Sequence, residues 1–230
     1  MKSLIGNLRY DKSIWLYPNG FCLVDRAGSL RQQFFFYADG DILSVKALEF
    51  FRTVSASAAA EDVEVIVANE PPVIVPRELY QTDEALKFVA LQYDVSKVTQ
   101  TFACDMEQYK LLFFLYKNEQ NALDRLTFNK HIVSYWDMIQ RCVRQQEHPQ
   151  NLIWVAENDS YLDFYVEKKN KIMLFNRFNY KTAEDELYFI MNIKQQFQLG
   201  DAAVWINSEN HRSPLKSLVK KYLDNYSWID

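Results

Sequence analysis

Acidic side chains cluster on one predicted hairpin, where they could hold a metal ion. Glu157, Asp159 and Asp163 lie close together in the sequence, and carboxylates are ligands that Mg²⁺ prefers. A tight turn also requires polar residues, and alternate positions of a strand face solvent. Because this second explanation needs no ligand, we predict no metal site here.

Residues that could serve as an acid, a base or a nucleophile are present but follow no catalytic pattern. Asp105 with Glu107, and Asp39 with Asp41, stand beside predicted strand and helix starts, where carboxylates act as caps and turn formers. No serine or cysteine has a nucleophile signature around it. We expect the histidines to be structural or exposed: His131, His148 and His211. The sequence therefore predicts no catalytic residue.

The composition argues against two classes of partner. The chain has 230 residues, a formal net charge of −4 and a pI near 5.5, whereas nucleic acids and anionic membranes attract a clustered basic face. Aromatic residues, 15% of the chain, could stack on bases. Without interleaved lysine and arginine, however, runs such as 34–37 are predicted to pack in the core and between domains. Because no apolar run reaches the roughly 20 residues of a membrane span, we expect a cytoplasmic protein without membrane insertion.

Two stretches of the chain follow the same order of predicted elements. Ile14-Trp15 opens an apolar strand that turns at Asn19-Gly20, and Ile153-Trp154 opens another that turns at Asn158-Asp159. Further along, Asn69 and Pro76 correspond to Asn207 and Pro214. We interpret the two stretches as an internal duplication.

Periodicity and turn residues give each stretch the order βββαβα. The first has strands at 14–17, 21–24 and 30–37, a helix from 41, a strand at 63–68 and a helix beginning at Pro76. The second has strands at 152–156, 161–166 and 171–178, a helix at 182–199, a strand at 202–206 and a helix beginning at Ser213-Pro214.

A segment that belongs to neither copy lies between them. Residues 91–148 carry predicted strands at 98–104, 109–116 and 131–134 and helices at 118–125 and 136–146. The polar stretch 147–151 is the best linker, because it separates a helix from the restart of the repeat. We therefore predict a first domain at 1–148, which includes this extra segment, and a shorter second domain at 149–230.

The chain resembles the actin superfamily, whose ribonuclease H-like half has this βββαβα order with three antiparallel strands first. It is similar to an uncharacterised bacterial family with an actin-like ATPase fold, and more distantly to actin-like proteins of pilus assembly and cell division. The similarity rests on the strand at 152–155, on 175–185 leading into a helix, and on 109–126 followed by 131–143. It implies an α/β fold of two ribonuclease H-like domains with mixed sheets and flanking helices, and it implies no known reaction.

The resemblance also implies an ATP site between the two domains, formed by hairpin turns of the Asp-x-Gly type. Glycine is needed there because a phosphate approaches backbone N–H groups closely. The turn at 17–20 has a glycine but no carboxylate, the turn at 156–160 has no glycine, and the loop at 207–212 is bulky and charged. If a nucleotide binds, these residues would hold it: Asn19, Gly20, Asn158, Asp159, Ser160 and Ser208. We predict no cofactor, with ATP and Mg²⁺ as the alternative.

Two functions follow from these observations. The preferred one is a degenerate, non-catalytic actin-like module, a pseudoenzyme that works as a scaffold or by binding an unidentified protein, for which aromatic strand edges such as 30–37 could stay partly exposed. The alternative is a divergent nucleotide-binding ATPase or phosphotransferase that uses the inter-domain cleft.

Overall fold

The computed structural model describes residues 2–27, 29–37, 42–52, 62–208 and 213–229. The chain divides into two compact units. We call Leu8–Asp137 the N-terminal unit, and Met1–Asn7 together with Met138–Asp230 the C-terminal unit. This division falls inside the helix Tyr135–Arg144, whereas the predicted domain boundary lies between 148 and 149 and stays a prediction.

A five-stranded mixed sheet forms the centre of the N-terminal unit, with the strand order β3-β2-β1-β4-β8. The pairs β1–β2 and β2–β3 are antiparallel, and β1–β4 and β4–β8 are parallel. From α1, which belongs to the C-terminal unit, to α5, which the division crosses, the elements in chain order are α1 (Lys2–Ile5), β1 (Lys12–Tyr17), β2 (Gly20–Asp25), β3 (Arg31–Phe36), α2 (Ile42–Arg52), β4 (Asp62–Val67), β5 (Val73–Pro76), α3 (Ala85–Val89), β6 (Val98–Met106), β7 (Tyr109–Tyr116), α4 (Lys117–Asp124), β8 (Asn129–Ser134) and α5 (Tyr135–Arg144).

The central strands form because apolar and β-branched residues dominate them. Every residue of β1 and β2 is buried, and so is all of β4 after its first residue. The predicted strands and the helix α2 are therefore present close to their predicted bounds. Its predicted capping residues, Asp39 and Asp41, lie outside the described residues.

A second, three-stranded sheet with the order β5-β7-β6 carries the middle of the chain. Its core contains Val73, Val75, Val89, Leu112 and Phe114. The prediction that a helix begins at Pro76 is wrong. Pro76 ends β5, which pairs with β7, and a 3₁₀ turn follows at Arg77–Leu79. A proline without an N–H is tolerated at the end of an edge strand, as it is in the first turn of a helix.

The C-terminal unit contains a sheet of the same topology, with the order β11-β10-β9-β12-β13. The pairs β9–β10 and β10–β11 are antiparallel, and β9–β12 and β12–β13 are parallel. The elements are β9 (Asn151–Glu157), β10 (Tyr161–Lys168), β11 (Lys171–Asn179), α6 (Ala183–Gln196), β12 (Ala203–Ser208), α7 (Leu215–Tyr222) and β13 (Tyr226–Ile229). The short strand β13 is absent from the prediction.

Strand register shows how the two sheets correspond. Tyr17 pairs with Gly20 across the first turn, and the Asn158 N–H donates to the Tyr161 carbonyl across the second, so Asn158 takes the place of Tyr17. Trp15 and Ala156 are therefore equivalent, because each stands two residues before the residue that closes its turn. Trp15 pairs with Ile66 of β4, and Ala156 pairs with Asn207 of β12. The predicted match of Asn69 with Asn207 is therefore wrong, because Asn207 takes the place of Ile66. The shared topology is what a duplication would produce, and the duplication itself stays a prediction.

Among the described helices, none is long and apolar enough to cross a membrane.

Candidate functional site

The first predicted turn owes its glycine to packing within the sheet. A Cβ atom on Gly20 would lie 2.1 Å from the Phe35 carbonyl oxygen and 2.8 Å from the Phe34 ring. The Asn19 carbonyl accepts a hydrogen bond from the Tyr37 N–H at 3.0 Å. Since only glycine fits so close to the neighbouring backbone, the contact with β3 accounts for Gly20 without a phosphate.

The second predicted turn also uses its backbone groups internally. The Asn158 N–H donates to the Tyr161 carbonyl at 3.0 Å, and the Asn158 carbonyl accepts a hydrogen bond from the Tyr180 hydroxyl. The Ser160 carbonyl accepts from the Tyr180 N–H at 3.1 Å. The Asn158 N–H is therefore already hydrogen-bonded and is not available to bind an anion at this turn.

The predicted nucleotide-binding residues fall into two groups. Ser208 ends β12 opposite Glu157, one residue before Asn158, so Asn158, Asp159, Ser160 and Ser208 lie at the same end of the inner strands β9 and β12. Asn19 and Gly20 belong to the N-terminal unit. The rest of the predicted adenosine loop, 209–212, lies outside the described residues.

The structure corrects the interpretation of Asp163. Its side chain was expected to face solvent, but it is fully buried and accepts hydrogen bonds from Arg177 Nε at 2.6 Å and from an Arg177 terminal nitrogen at 3.0 Å. The Arg177 guanidinium also lies 4.1 Å from the centre of the Tyr161 ring. Alternation fails as a guide because β10 is buried on both faces. Within the described ranges, no three acidic, histidine or cysteine side chains are grouped so as to hold a metal ion.

A buried polar cluster, which the sequence did not predict, joins four parts of the N-terminal unit. We call Tyr37, Asn69, Glu70, Tyr116 and Glu119 the Glu119 cluster. The Glu119 carboxylate accepts hydrogen bonds from Asn69 Nδ2 at 2.9 Å and from the Tyr116 N–H at 2.8 Å. The Tyr116 hydroxyl donates to Glu70 at 3.0 Å, and the Glu70 N–H donates to Asn69 Oδ1 at 2.8 Å. The cluster thereby ties the loop after β4 to the start of α4.

Burial shifts the titration of this cluster. Desolvation raises the pKa of Glu119 to about 7, against the opposing effect of its hydrogen bonds. Burial, reinforced by the neighbouring Glu119 carboxyl, also raises the pKa of Tyr37. A carboxyl group titrating near neutral pH is suited to acid–base chemistry, but the Glu119 side chain is only 3% exposed. Its position therefore favours a structural role.

A similar tyrosine–carboxyl pair occurs in the C-terminal unit. Tyr180 follows β11 as Tyr37 follows β3, and each donates its N–H to the residue that precedes the second strand of the sheet. Glu186 of α6 interacts electrostatically with Tyr180, and burial together with the nearby Glu157 raises the pKa of Glu186 to about 7. Neither pair is predictable from residue spacing, because the partners come from separate elements.

We predict that replacing Glu119 with glutamine will weaken the pH dependence of stability. A carboxyl whose pKa is about 4.5 in the unfolded chain and about 7 in the folded one binds its proton more tightly when folded. It therefore stabilises the fold below pH 4.5, and this contribution is lost as the pH rises to about 7. The loss is on the order of 1 to 3 kcal/mol, and glutamine cannot titrate.

Urea denaturation at pH 5 and pH 8 will measure this effect. Glu119→Gln should lose less stability between the two pH values than the wild type. Glu184→Gln, which changes an exposed residue of α6, is the control and should keep the wild-type difference. An unchanged difference in Glu119→Gln would contradict the assignment.

The remaining candidates for chemistry lie in ordinary structural contacts. His131 Nε2 lies 2.8 Å from Asp62, and its ring stacks on Tyr10. His148 packs edge-on against Trp205. Asp105 pairs with Arg77 at 2.9 Å and with Lys110 at 2.7 Å, and the hydrogen bond with Lys110 lowers its pKa. His211 lies outside the described residues.

Two helix-flanked mixed sheets of this topology define an actin-like ATPase fold, as solved structures show. One similar structure is a protein of unknown function from Bacteroides thetaiotaomicron with an actin-like ATPase fold. The match covers 96% of this chain and 91% of that protein, with a TM-score of 0.68 and 16% sequence identity. A second similar structure is a chain of the PilM-PilN type IV pilus biogenesis complex. The match covers 96% of this chain and 88% of that chain, with a TM-score of 0.58 and 11% sequence identity.

The chain itself belongs to the family described as "Protein of unknown function (DUF3822)", which matches residues 21–226. No curated protein matches the chain. The predicted family resemblance and fold class are confirmed.

Proposed function

We propose that this protein works by associating with other protein chains and does not bind or hydrolyse a nucleotide. The observation that carries the proposal is the state of the two hairpin turns. The space beside the Gly20 Cα is occupied by Phe35 of the same sheet. In the second turn, both the N–H and the carbonyl of Asn158 form hydrogen bonds with neighbouring residues. A phosphate would have to displace these contacts, and each hydrogen bond lost in this way would weaken the fold.

Two further observations support association. One of the similar folds comes from a complex of two pilus biogenesis proteins. In this chain, β3 leaves Phe34 and Phe36 exposed at 41% and 64%, although they were predicted to pack in the core and between domains. Exposed aromatic side chains on a sheet edge are typical of a binding surface.

We predict that ATP with Mg²⁺ at about 1 mM will leave the unfolding temperature unchanged. A nucleotide bound at 100 times its dissociation constant would stabilise the protein by about 2.7 kcal/mol. For a chain of this size, that corresponds to about 5 to 11 °C. Scanning calorimetry will measure the midpoint.

The control is inorganic triphosphate with Mg²⁺ at the same ionic strength, which separates a nucleotide effect from a salt effect. A rise of several degrees with ATP alone would contradict the proposal. It would favour the nucleotide-binding alternative, with Asn158, Asp159, Ser160 and Ser208 as the residues to mutate first.

A further inference from the structure

Strand β3 is an open edge of the N-terminal sheet. Within the described residues it pairs with β2 alone, in a register without a bulge. The Tyr37 N–H bonds to the Asn19 carbonyl, and alternate residues of an antiparallel strand turn their backbone groups toward the same neighbour. The N–H and carbonyl groups of Gln32, Phe34 and Phe36 therefore point away from β2.

The equivalent edge of the C-terminal sheet is protected. The pairing of β10 with β11 is interrupted by a bulge at Val166/Glu167, and β11 carries the exposed Lys171. The Arg177 N–H, which points away from β10, is bound by its neighbour Asn176 Oδ1 at 2.8 Å. Bulges and charges are the usual means by which a sheet edge avoids pairing with another chain, and β3 carries only one charge, on Arg31.

The open edge also carries apolar surface and has space beside it. The rings of Phe34 and Phe36 lie on one face, 5.0 Å apart. On the other face, a groove of about 730 Å³ lies between β3 and α2, lined in part by Phe35 and Phe50. An extended chain is the occupant that would satisfy the free backbone groups of this edge.

We propose that β3 pairs antiparallel with β3 of a second copy of this chain, about a two-fold axis that passes through Phe34. This register sets Phe34 opposite Phe34 of the second copy and Gln32 opposite its Phe36. All three outward-facing residues then exchange hydrogen bonds in both directions. A shift of two residues either way would leave one of them unpaired.

The side chains favour a second copy as the occupant. Aromatic rings meet aromatic rings at the axis, and Arg31, the strand's one charge, lies opposite Tyr37 of the second copy and far from the other Arg31. Opposed like charges, which destabilise strand pairs, are therefore avoided. A pair of six-residue strands buries less than the roughly 1,600 Å² of a standard interface, so we expect a weak dimer whose population depends on protein concentration.

Sedimentation equilibrium from about 1 to 500 μM will test the dimer. The mass should rise with concentration from 27.2 kDa toward twice that value. Gln32→Pro removes an N–H that points away from β2, so the sheet itself keeps its hydrogen bonds, and the dissociation constant should rise at least tenfold. Phe36→Lys should act in the same direction.

A matched control and a test of register complete the experiment. Tyr188→Lys changes a residue of α6 that is as exposed as Phe36, at 62% against 64%, and should leave dimerisation unchanged. Mixing Phe36→Lys with Gln32→Glu should restore association, because the register sets these two positions opposite each other. Circular dichroism will establish that each variant is folded.

The inference rests on the proposed function, since it names one partner for the association, but the two can fail separately. A protein that stays monomeric throughout the concentration range would overturn the second copy as partner and leave the nucleotide result unaffected. A dimer that is insensitive to both Gln32→Pro and Phe36→Lys would overturn it as well.

Discussion

Replacing Gly20 with alanine will lower the free energy of unfolding by about 2 to 4 kcal/mol. The new methyl group would lie 2.1 Å from the Phe35 carbonyl oxygen, a backbone atom that cannot rotate away as a side chain can. Relief requires β2 and β3 to separate where Phe21 pairs with Phe35. The unfolding midpoint should fall by about 4 to 16 °C.

Gly200 provides the matched control for this substitution. A Cβ atom at Gly200 would have no heavy atom within 4 Å, so Gly200→Ala should change the stability by no more than about 0.5 kcal/mol. Thermal and urea denaturation of the two variants will make the comparison. If Gly20→Ala is as stable as Gly200→Ala, packing does not explain the glycine, and ligand binding becomes its best explanation again.

Replacing Arg177 with methionine will destabilise the protein by about 3 to 5 kcal/mol. The Arg177 and Asp163 side chains are only 8% and 1% exposed, so the substitution leaves a carboxylate inside the C-terminal unit without its guanidinium partner. The penalty comes from the uncompensated buried charge more than from the attraction that is lost.

A double variant will separate these two causes. Asp163→Leu combined with Arg177→Met removes both charges and should recover most of the stability, since apolar side chains of similar volume can replace a buried ion pair. Arg77→Met is the control, because Arg77 and Asp105 are 51% and 63% exposed and surface pairs contribute little. Urea denaturation at pH 7 will measure all three. An Arg177→Met variant as stable as Arg77→Met would mean that Asp163 carries no charge in the folded protein.

The fold was predictable because its signals are local. The apolar residues of β1, β2 and β4, and the turn residues between the first strands, identify three neighbouring strands of a buried sheet without reference to the rest of the chain. Pro76 shows the limit of a local signal, since proline is equally at home in the first turn of a helix and at the end of an edge strand. Its pairing with Tyr109 of β7 decides between the two.

The candidate site was predictable only in part. The two turns were predictable because turn-forming residues are adjacent in the sequence, while a nucleotide site at these turns stays a prediction. The Glu119 cluster was not, because Asn69 lies 50 residues before Glu119 and 45 before Phe114, and nothing in the spacing joins them. Asp163 was misjudged because a rule for half-exposed strands was applied to a strand that is covered on both sides.

The straight edge of β3 and the bulged edge of β11 have a consequence for how large an assembly can become. Two-fold pairing of β3 occupies the same surface in both copies, so it closes on itself and offers no free end of that kind for a third chain. The bulge, Lys171 and the internally bonded Arg177 N–H keep β11 from providing a second such edge. Through these two strands the chain can form pairs and cannot form a fibre.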